Sequence, residues 1–340
     1  MPLSNTVKLG GFVFFATVCI FLLLNRQTSY QMQLEATVGR LQTNLKSLSD
    51  SSETRHGLAY AHSFGFFTDI LDEDWLRLQR RHHDTPNCFR NCEPERPSTW
   101  YQNNFEPTLT CLHERRVGGM GDGPKWVCDP HRIDPTRCLV YSIGSNNKFE
   151  FEESVLREIS ERCEIHTFDP TVGEDPSNRP ANVHFHPWGL AASNYVDKSG
   201  KQYKTIASIV QELNHAGRRI DLFKIDCEGC EFVTVDGWFG KGVDIGQILV
   251  EVHGGTNKHA PGISSFLFPF AMMAGTGTAA LRSGGKDVEM IDERGMAKNF
   301  LEKLQQERYV VFHKEPNIIA GGGCIEYSLI RLDDPFFVSP

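Results

Sequence analysis

An α/β fold, a mostly parallel sheet with helices on both faces, is what three features of the sequence predict. Between Cys138 and Arg331, apolar strand-like runs alternate with stretches of helical spacing, and strands separated by helices pair in parallel. The runs end in glycine, aspartate, glutamate and histidine, at the place where such sheets bind ligands. The composition, 40% hydrophobic and 23% charged, is that of a globular body and excludes wholesale disorder. A length of 340 residues suits one large domain or two small ones, with appendages.

The elements follow in order. The pattern predicts a first strand over Cys138–Gly144. It predicts a helix over Phe149–Arg162, where Phe151, Val155 and Ile159 recur every four residues. Glu164–Phe168 is the second expected strand and Asn182–His186 the third. Thr205–Ala216 reads as a helix with Ile206, Ile209, Val210 and Leu213 on one face. Ile220–Asp226 and Ile245–Val252 read as the fourth and fifth strands. A late helix is expected over Phe300–Gln306, and Tyr309–His313 and Cys324–Arg331 as closing strands.

Ahead of this array, Leu9 to Leu24 is uncharged for 16 residues between Lys8 and Arg26. A spanning helix needs roughly 17–25 residues and a signal-peptide core is shorter than this run. No small-x-small cleavage site follows closely. The run is read as an uncleaved transmembrane signal anchor; the alternatives are a cleaved signal, giving a secreted form, and a buried helix. Lys8 and the terminal amine make residues 1–8 a short cytoplasmic tail by the positive-inside rule. The expectation is a single-pass type II membrane protein of the Golgi or secretory pathway, its body in the lumen. Residues 25–58 form a stalk. In it Leu34, Val38, Leu41, Leu45 and Leu48 trace about two heptads, either a short homodimerising coiled coil or a lone amphipathic helix.

Residues 59–137 read as a cysteine-bearing, loop-rich segment, 138–333 as the main domain and 334–340 as a tail. Cys88, Cys92, Cys111, Cys128 and Cys138 crowd one Pro-, Asn- and Gly-rich stretch, which behind an export signal reads as disulfide-stapled. The rival is a zinc site using Cys88, Cys92, His113 or His131. Leaving out Cys19, nine of the 10 cysteines remain, so at least one is free or bridges chains. Net charge is −8, with 35 basic and 43 acidic side chains, which argues against a nucleic-acid partner.

The strand ends carry the chemistry. Gly144 precedes Ser-Asn-Asn and lets backbone approach a ligand closely. Asp169 can accept two hydrogen bonds from ribose hydroxyls, or simply start an Asp-Pro turn. Asp226, Glu228 and Glu231 crowd three carboxylates after the fourth strand, which calls for a metal ion, a sulfonium or Lys224 nearby; a solvated acidic turn is the plain alternative. His253, at the end of the fifth strand, can act as a general base or be structural. Trp188 can stack on an adenine or pack a loop.

YSIG at 141–144, TFDP at 167–170, FKIDCEGCEF at 223–232 and ILVEVHG at 248–254 resemble the FkbM-related class I methyltransferases. HKEPN at 313–317 and CIEYSLIRL at 324–332 are similar to the closing strands of the eukaryotic membrane-anchored group of that family. The resemblance implies a Rossmann-like, seven-stranded sheet with the last strand antiparallel, and S-adenosylmethionine as methyl donor. It implies that Ser142, Gly144, Asp169 and Trp188 line the donor, with Asp226 beside the sulfonium. It implies Asp226, Glu228 and His253 as catalytic residues, the base being His253 or Asp226. A divalent metal at Asp226 and Glu228 is an added option. Many members carry an acid where Ser142 stands and further glycines at Asn146 and Asn147. Cys227 and Cys230 either pair and stiffen the loop or stand free. The expected reaction is O-methylation of a hydroxyl, with a glycan as one acceptor class. The alternatives are an inactive methyltransferase-fold scaffold and a luminal glycosyltransferase.

Overall fold

The computed structural model describes residues 62–63, 65–93, 97–173, 176–253, 282–283, 286–287, 293–319, 323–333 and 336. The expected anchor at 9–24 and stalk at 25–58 lie outside the described residues, as does most of 254–292. Among the described residues no helix is long and apolar enough to cross a membrane.

Helix α1 (Asp72–Asp84) carries Asp72, Glu73 and Asp74 in its first turn and Arg81, His82 and His83 in its last, charges that complement the helix dipole. Trp75, Gln79 and His82 form its buried stripe. Helix α2 (Pro97–Asn103) starts on proline, whose missing N–H costs nothing there. Strands β1 (Arg115–Val117) and β2 (Lys125–Val127) pair antiparallel. There follow β3 (Leu139–Ile143), α3 (Glu150–Glu158), β4 (Glu164–Phe168) and β5 (Val183–His186). Next come β6 (Trp188–Leu190), β7 (Tyr195–Val196), β8 (Gln202–Lys204), α4 (Ile206–Glu212) and β9 (Arg219–Ile225). The chain continues through α5 (Cys230–Thr234) and β10 (Asp244–His253). A two-residue pair, β11 (Arg282–Ser283) and β12 (Lys286–Asp287), then precedes α6 (Glu293–Gln306), β13 (Tyr309–Pro316) and β14 (Cys324–Arg331).

Seven strands make one sheet in the order β13-β14-β10-β9-β3-β4-β5. The β5-β4-β3-β9-β10 run is parallel throughout. Strand β14 inserts antiparallel between β10 and β13. The α/β class and the seven-stranded, mostly parallel sheet thus stand as expected. Strand β3 is buried at all five positions, as a strand covered on both faces must be. Its alternating side chains feed two cores. Leu139, Tyr141 and Ile143 join Trp100, Phe105, Phe223 and Trp238 on one side. Val140 joins Phe67, Trp75, Val127, Leu222 and Leu249 on the other. Residues from the 59–137 segment therefore help cover both faces of the sheet, and Thr54–Pro340 is one compact unit.

Three departures from the sequence reading have local causes. Helix α3 stops at Glu158 rather than Arg162, because the backbone N–H groups of Ile159 and Ser160 both turn onto the Val155 carbonyl. Helix α4 stops at Glu212 because Asn214 takes a left-handed φ of +59°. After β5 the chain builds a small three-stranded sheet, β6-β8-β7, where only a loop was expected.

The cysteines pair as Cys88–Cys92, Cys111–Cys128, Cys138–Cys163 and Cys227–Cys230. A zinc site on Cys88 and Cys92 is thereby excluded, since both sulfurs are already bonded. The odd cysteine is Cys324, the free one among the described residues. Cys138–Cys163 ties the start of β3 to the start of β4 across 25 residues, a closure worth about 3–4 kcal/mol in the chain-entropy picture.

Candidate active site

Three strand ends are stitched together by backbone hydrogen bonds. The Asp226 N–H donates to the Ile143 carbonyl at 3.0 Å, and the Gly144 N–H to the Phe168 carbonyl at 2.9 Å. Gly144 has a φ of +81°, and a Cβ there would sit 1.7 Å from the Asp226 carbonyl oxygen. The glycine is thus required by the crossing of two loops of the protein itself. Lys224 Nζ donates to the Gly144 carbonyl at 2.7 Å and pins the same crossing from below. Gly144→Ala is expected to cost at least ~3 kcal/mol, through strain that no side-chain motion relieves. Thermal unfolding of the full chain checks this; an unchanged midpoint would refute it.

Around Asp226 lies a dense charge network. His253 Nε2 stands 3.8 Å from Asp226, 3.6 Å from Glu228 and 3.8 Å from Glu251, and its Nδ1 stands 3.2 Å from Glu231. Glu231 is fully buried and also accepts the His253 backbone N–H at 3.0 Å. Glu228 adopts a left-handed φ of +56° in the turn that Cys227–Cys230 closes. Lys125 Nζ, fully buried, lies 2.7 Å from Glu326 and 3.8 Å from Asp226. Glu251 and Glu326 face each other across β10 and β14, a like-charge pairing that would be unfavourable unneutralised. Asn317 Nδ2 donates to Glu251 at 2.8 Å.

This network sets protonation. Burial works against a charged His253, but the hydrogen bond and charge of Glu231, then Glu251 and Asp226, hold it up at about 10. It is an imidazolium at neutral pH. Burial first, then the Asp226 and Glu326 charges, push Glu251 up to about 7. Burial also opposes ionisation of Asp226, yet Lys224, Lys125 and His253 hold it below the usual carboxylate range. Asp226 is therefore the ionised member of the pair, and Glu251, at about 7, is part ionised and part protonated near neutrality. Burial and the surrounding carboxylates raise the Cys324 thiol to about 12, so it is not a thiolate.

A raised histidine contributes stability that is fully present below its unfolded pKa and is lost as pH rises through the folded one. Between about pH 6.5 and 10 the wild-type unfolding midpoint should therefore fall more steeply than that of His253→Gln, by an amount equivalent to a few kcal/mol. Parallel pH profiles of the two proteins would remove the assignment.

The donor-side residues take other places. Asp169 Oδ2 accepts the backbone N–H groups of Ser145 at 3.0 Å and Asn146 at 2.7 Å. Its Oδ1 accepts the Thr171 N–H at 2.8 Å and the Thr171 hydroxyl at 2.6 Å. The aspartate clamps the loops after β3 and β4 about a cleft of about 420 Å³ lined by Asn146, Asn147, Thr171, Val172, Gly173, Pro176 and Ser177. Ser142 is buried within β3, and its Oγ has no hydrogen-bond partner among the described residues. Trp188 stacks on His186 at 4.5 Å and has the Lys204 ammonium 3.4 Å from its ring centroid. The structure thus brings Asp226, Glu228 and His253 together, with Gly144 against Asp226 and Asp169 one strand away. Trp188 joins His186 and Phe168, the residue before Asp169, in an aromatic stack.

Asp226, Glu228 and His253 present ligand atoms within 4.8 Å of one another, as do Glu251, His253 and Cys324. Both sets pair an imidazole with carboxylate oxygens, one adding a thiol, and these are donor types that a divalent ion takes.

Sequence reasoning missed Lys125, Glu326 and Asn317 and gave Glu251 no role. A signal existed for Glu251, which alternates with His253 and so shares its side of β10. Lys125 had none, since its hydrogen-bond partner Glu326 is 201 residues away.

No curated protein matches the chain. A family model described as a methyltransferase domain matches residues 57–277, well over half of the chain. That match spans the 59–137 segment and the sheet through β10, and the chain belongs to this methyltransferase-domain family.

Proposed function

We propose that the protein is an S-adenosylmethionine-dependent methyltransferase that methylates a hydroxyl group. The observation that carries the reading is an ionised Asp226 at the end of the central strand β9, locked against Gly144 of the neighbouring β3, with Asp169 following β4, the next strand beyond. S-adenosylmethionine supplies an electrophilic methyl group on a sulfonium. Asp169 and the loop it clamps would hold the nucleoside, and Lys224 and Gly144 fix the loop that would border the methionine part. Asp226 presents the compensating negative charge. The acceptor proton goes to the Asp226–Glu251 pair, whose upper member lies at about 7, the range in which a general base works best. His253, already protonated, orients the carboxylates and is not the base. Alignment of donor and acceptor supplies the larger part of the rate, roughly 7–11 kcal/mol in well-oriented systems.

The four disulfides and the apolar run at 9–24 support a luminal body held by a type II anchor in the Golgi or secretory pathway, with a glycan as the acceptor class. The heptad spacing at 34–48 supports a homodimer through the stalk, and the motif runs support the FkbM-related, membrane-anchored group within the family. The scaffold reading keeps one specific support, the full use of Asp169 by its own loops.

Calorimetric titration of the oxidised full chain with S-adenosylmethionine and S-adenosylhomocysteine tests the proposal, with Asp169→Ala and a nucleotide-sugar panel beside it. Saturable donor binding that falls in Asp169→Ala is the expected result. No donor binding by folded protein would favour the scaffold, and nucleotide-sugar binding the glycosyltransferase.

A further inference from the structure

A second cluster of ligating side chains lies at the start of β4, the opposite end of that strand from Asp169. Glu164 and His166 leave the same face of β4, two residues apart. His215, in the turn between α4 and β9, comes down onto them. Glu164 Oε1 lies 3.1 Å from His166 Nε2 and 2.9 Å from His215 Nε2. The three ligand atoms all fall within 4.8 Å of one another. Both imidazoles are buried, with side chains 7% and 5% exposed, while Glu164 reaches the surface at 34%.

We propose that Glu164, His166 and His215 bind one divalent transition-metal ion of the zinc class, through Glu164 Oε1 and the two Nε2 atoms. Two ligands about 2.0–2.1 Å from a tetrahedral ion stand about 3.3–3.5 Å apart. The observed 3.1 and 2.9 Å separations need to open by only a few tenths of an ångström. Two imidazoles and one carboxylate are a donor set for zinc with a fourth position left open.

The surroundings are arranged as an outer shell. His215 Nδ1 meets the Tyr141 hydroxyl at 2.7 Å, and His166 Nδ1 meets His186 Nε2 at 2.9 Å. The remaining oxygen, Glu164 Oε2, accepts from Arg218 at 2.7 Å. Each ligand thus has its other polar atom fixed, as ligands of built metal sites do. Without metal, the carboxylate can only accept, so both imidazoles carry their proton on Nε2. On binding, each ligand imidazole moves that proton to Nδ1, toward Tyr141 and His186, and no net proton is released. The ion itself displaces two N–H···O hydrogen bonds. The site shares no residue with the carboxylate centre at Asp226.

The test is zinc binding by the full chain, stripped of metal and then titrated with Zn²⁺ against a chromophoric chelator. One tight equivalent is expected, with zinc-edge absorption fine structure showing two imidazoles and no sulfur in the inner shell. Glu164→Gln and His215→Gln should weaken binding at least ~10²-fold, and Tyr141→Phe about 10-fold. His113→Gln should leave it unchanged, which separates this cluster from the His113–His131 ring pair. The wild-type spectrum keeps the test decisive even if a ligand variant does not fold. Absence of stoichiometric binding, a single imidazole, a sulfur ligand, or binding that survives Glu164→Gln would overturn the proposal.

Discussion

Asp226→Asn should lower methyl transfer by about 10²–10⁴-fold while leaving the fold intact. The substitution keeps the shape and removes the charge. Lys125, Lys224 and His253 would then face the donor without their partner, so affinity for a sulfonium should fall as well. Affinity for uncharged S-adenosylhomocysteine should change less, which separates loss of charge complementarity from loss of shape. Labelled-methyl incorporation into a glycan pool reads the first effect and calorimetry the second. Equal incorporation by wild type and variant would remove Asp226 from the chemistry.

Lys125→Met should cost on the order of 3–5 kcal/mol of stability, because it leaves Glu326 buried without its counter-ion and removes one of the three cations that hold Asp226 ionised. The unfolding midpoint should drop by roughly 6–15 °C. Adding Glu326→Gln should recover part of the loss, since the stranded carboxylate is then neutral and a buried pair replaced whole is far less costly than a pair broken. A midpoint shift under about 3 °C in the single variant would show that water reaches Glu326. The effect is on folding, and it also loosens the support beneath Asp226.

How much of this was legible follows from where the information sits. Strands β3, β9, β10 and β14 announced themselves as largely apolar runs, because a strand covered on both faces tolerates few polar positions, whereas β4 and β5 showed only as short alternations of apolar and polar residues. Helix α1 did not. Of its inward residues Trp75, Gln79 and His82, two are polar, so no hydrophobic period appears. Strands β6, β7 and β8 are three, two and three residues long, too short to show alternation. At the site, Asp226, Glu228 and His253 were readable because each closes a strand or follows one closely. Their chemistry was not, because protonation depends on neighbours far along the chain. His253 looks like a base in sequence and is an acid in place, held by four carboxylates of which sequence spacing reveals only some. Trp188 was legible as an aromatic at a strand end, but its contacts with His186 and Lys204 were not.

The loop that the Cys227–Cys230 bond closes holds Glu228, and its ends abut Asp226 and Glu231, so the bond restrains the span between three carboxylates. A chain whose Cys227 and Cys230 stay reduced would carry every residue of the centre but not that restraint. The bond thus ties the placing of these carboxylates to the redox state of the surroundings.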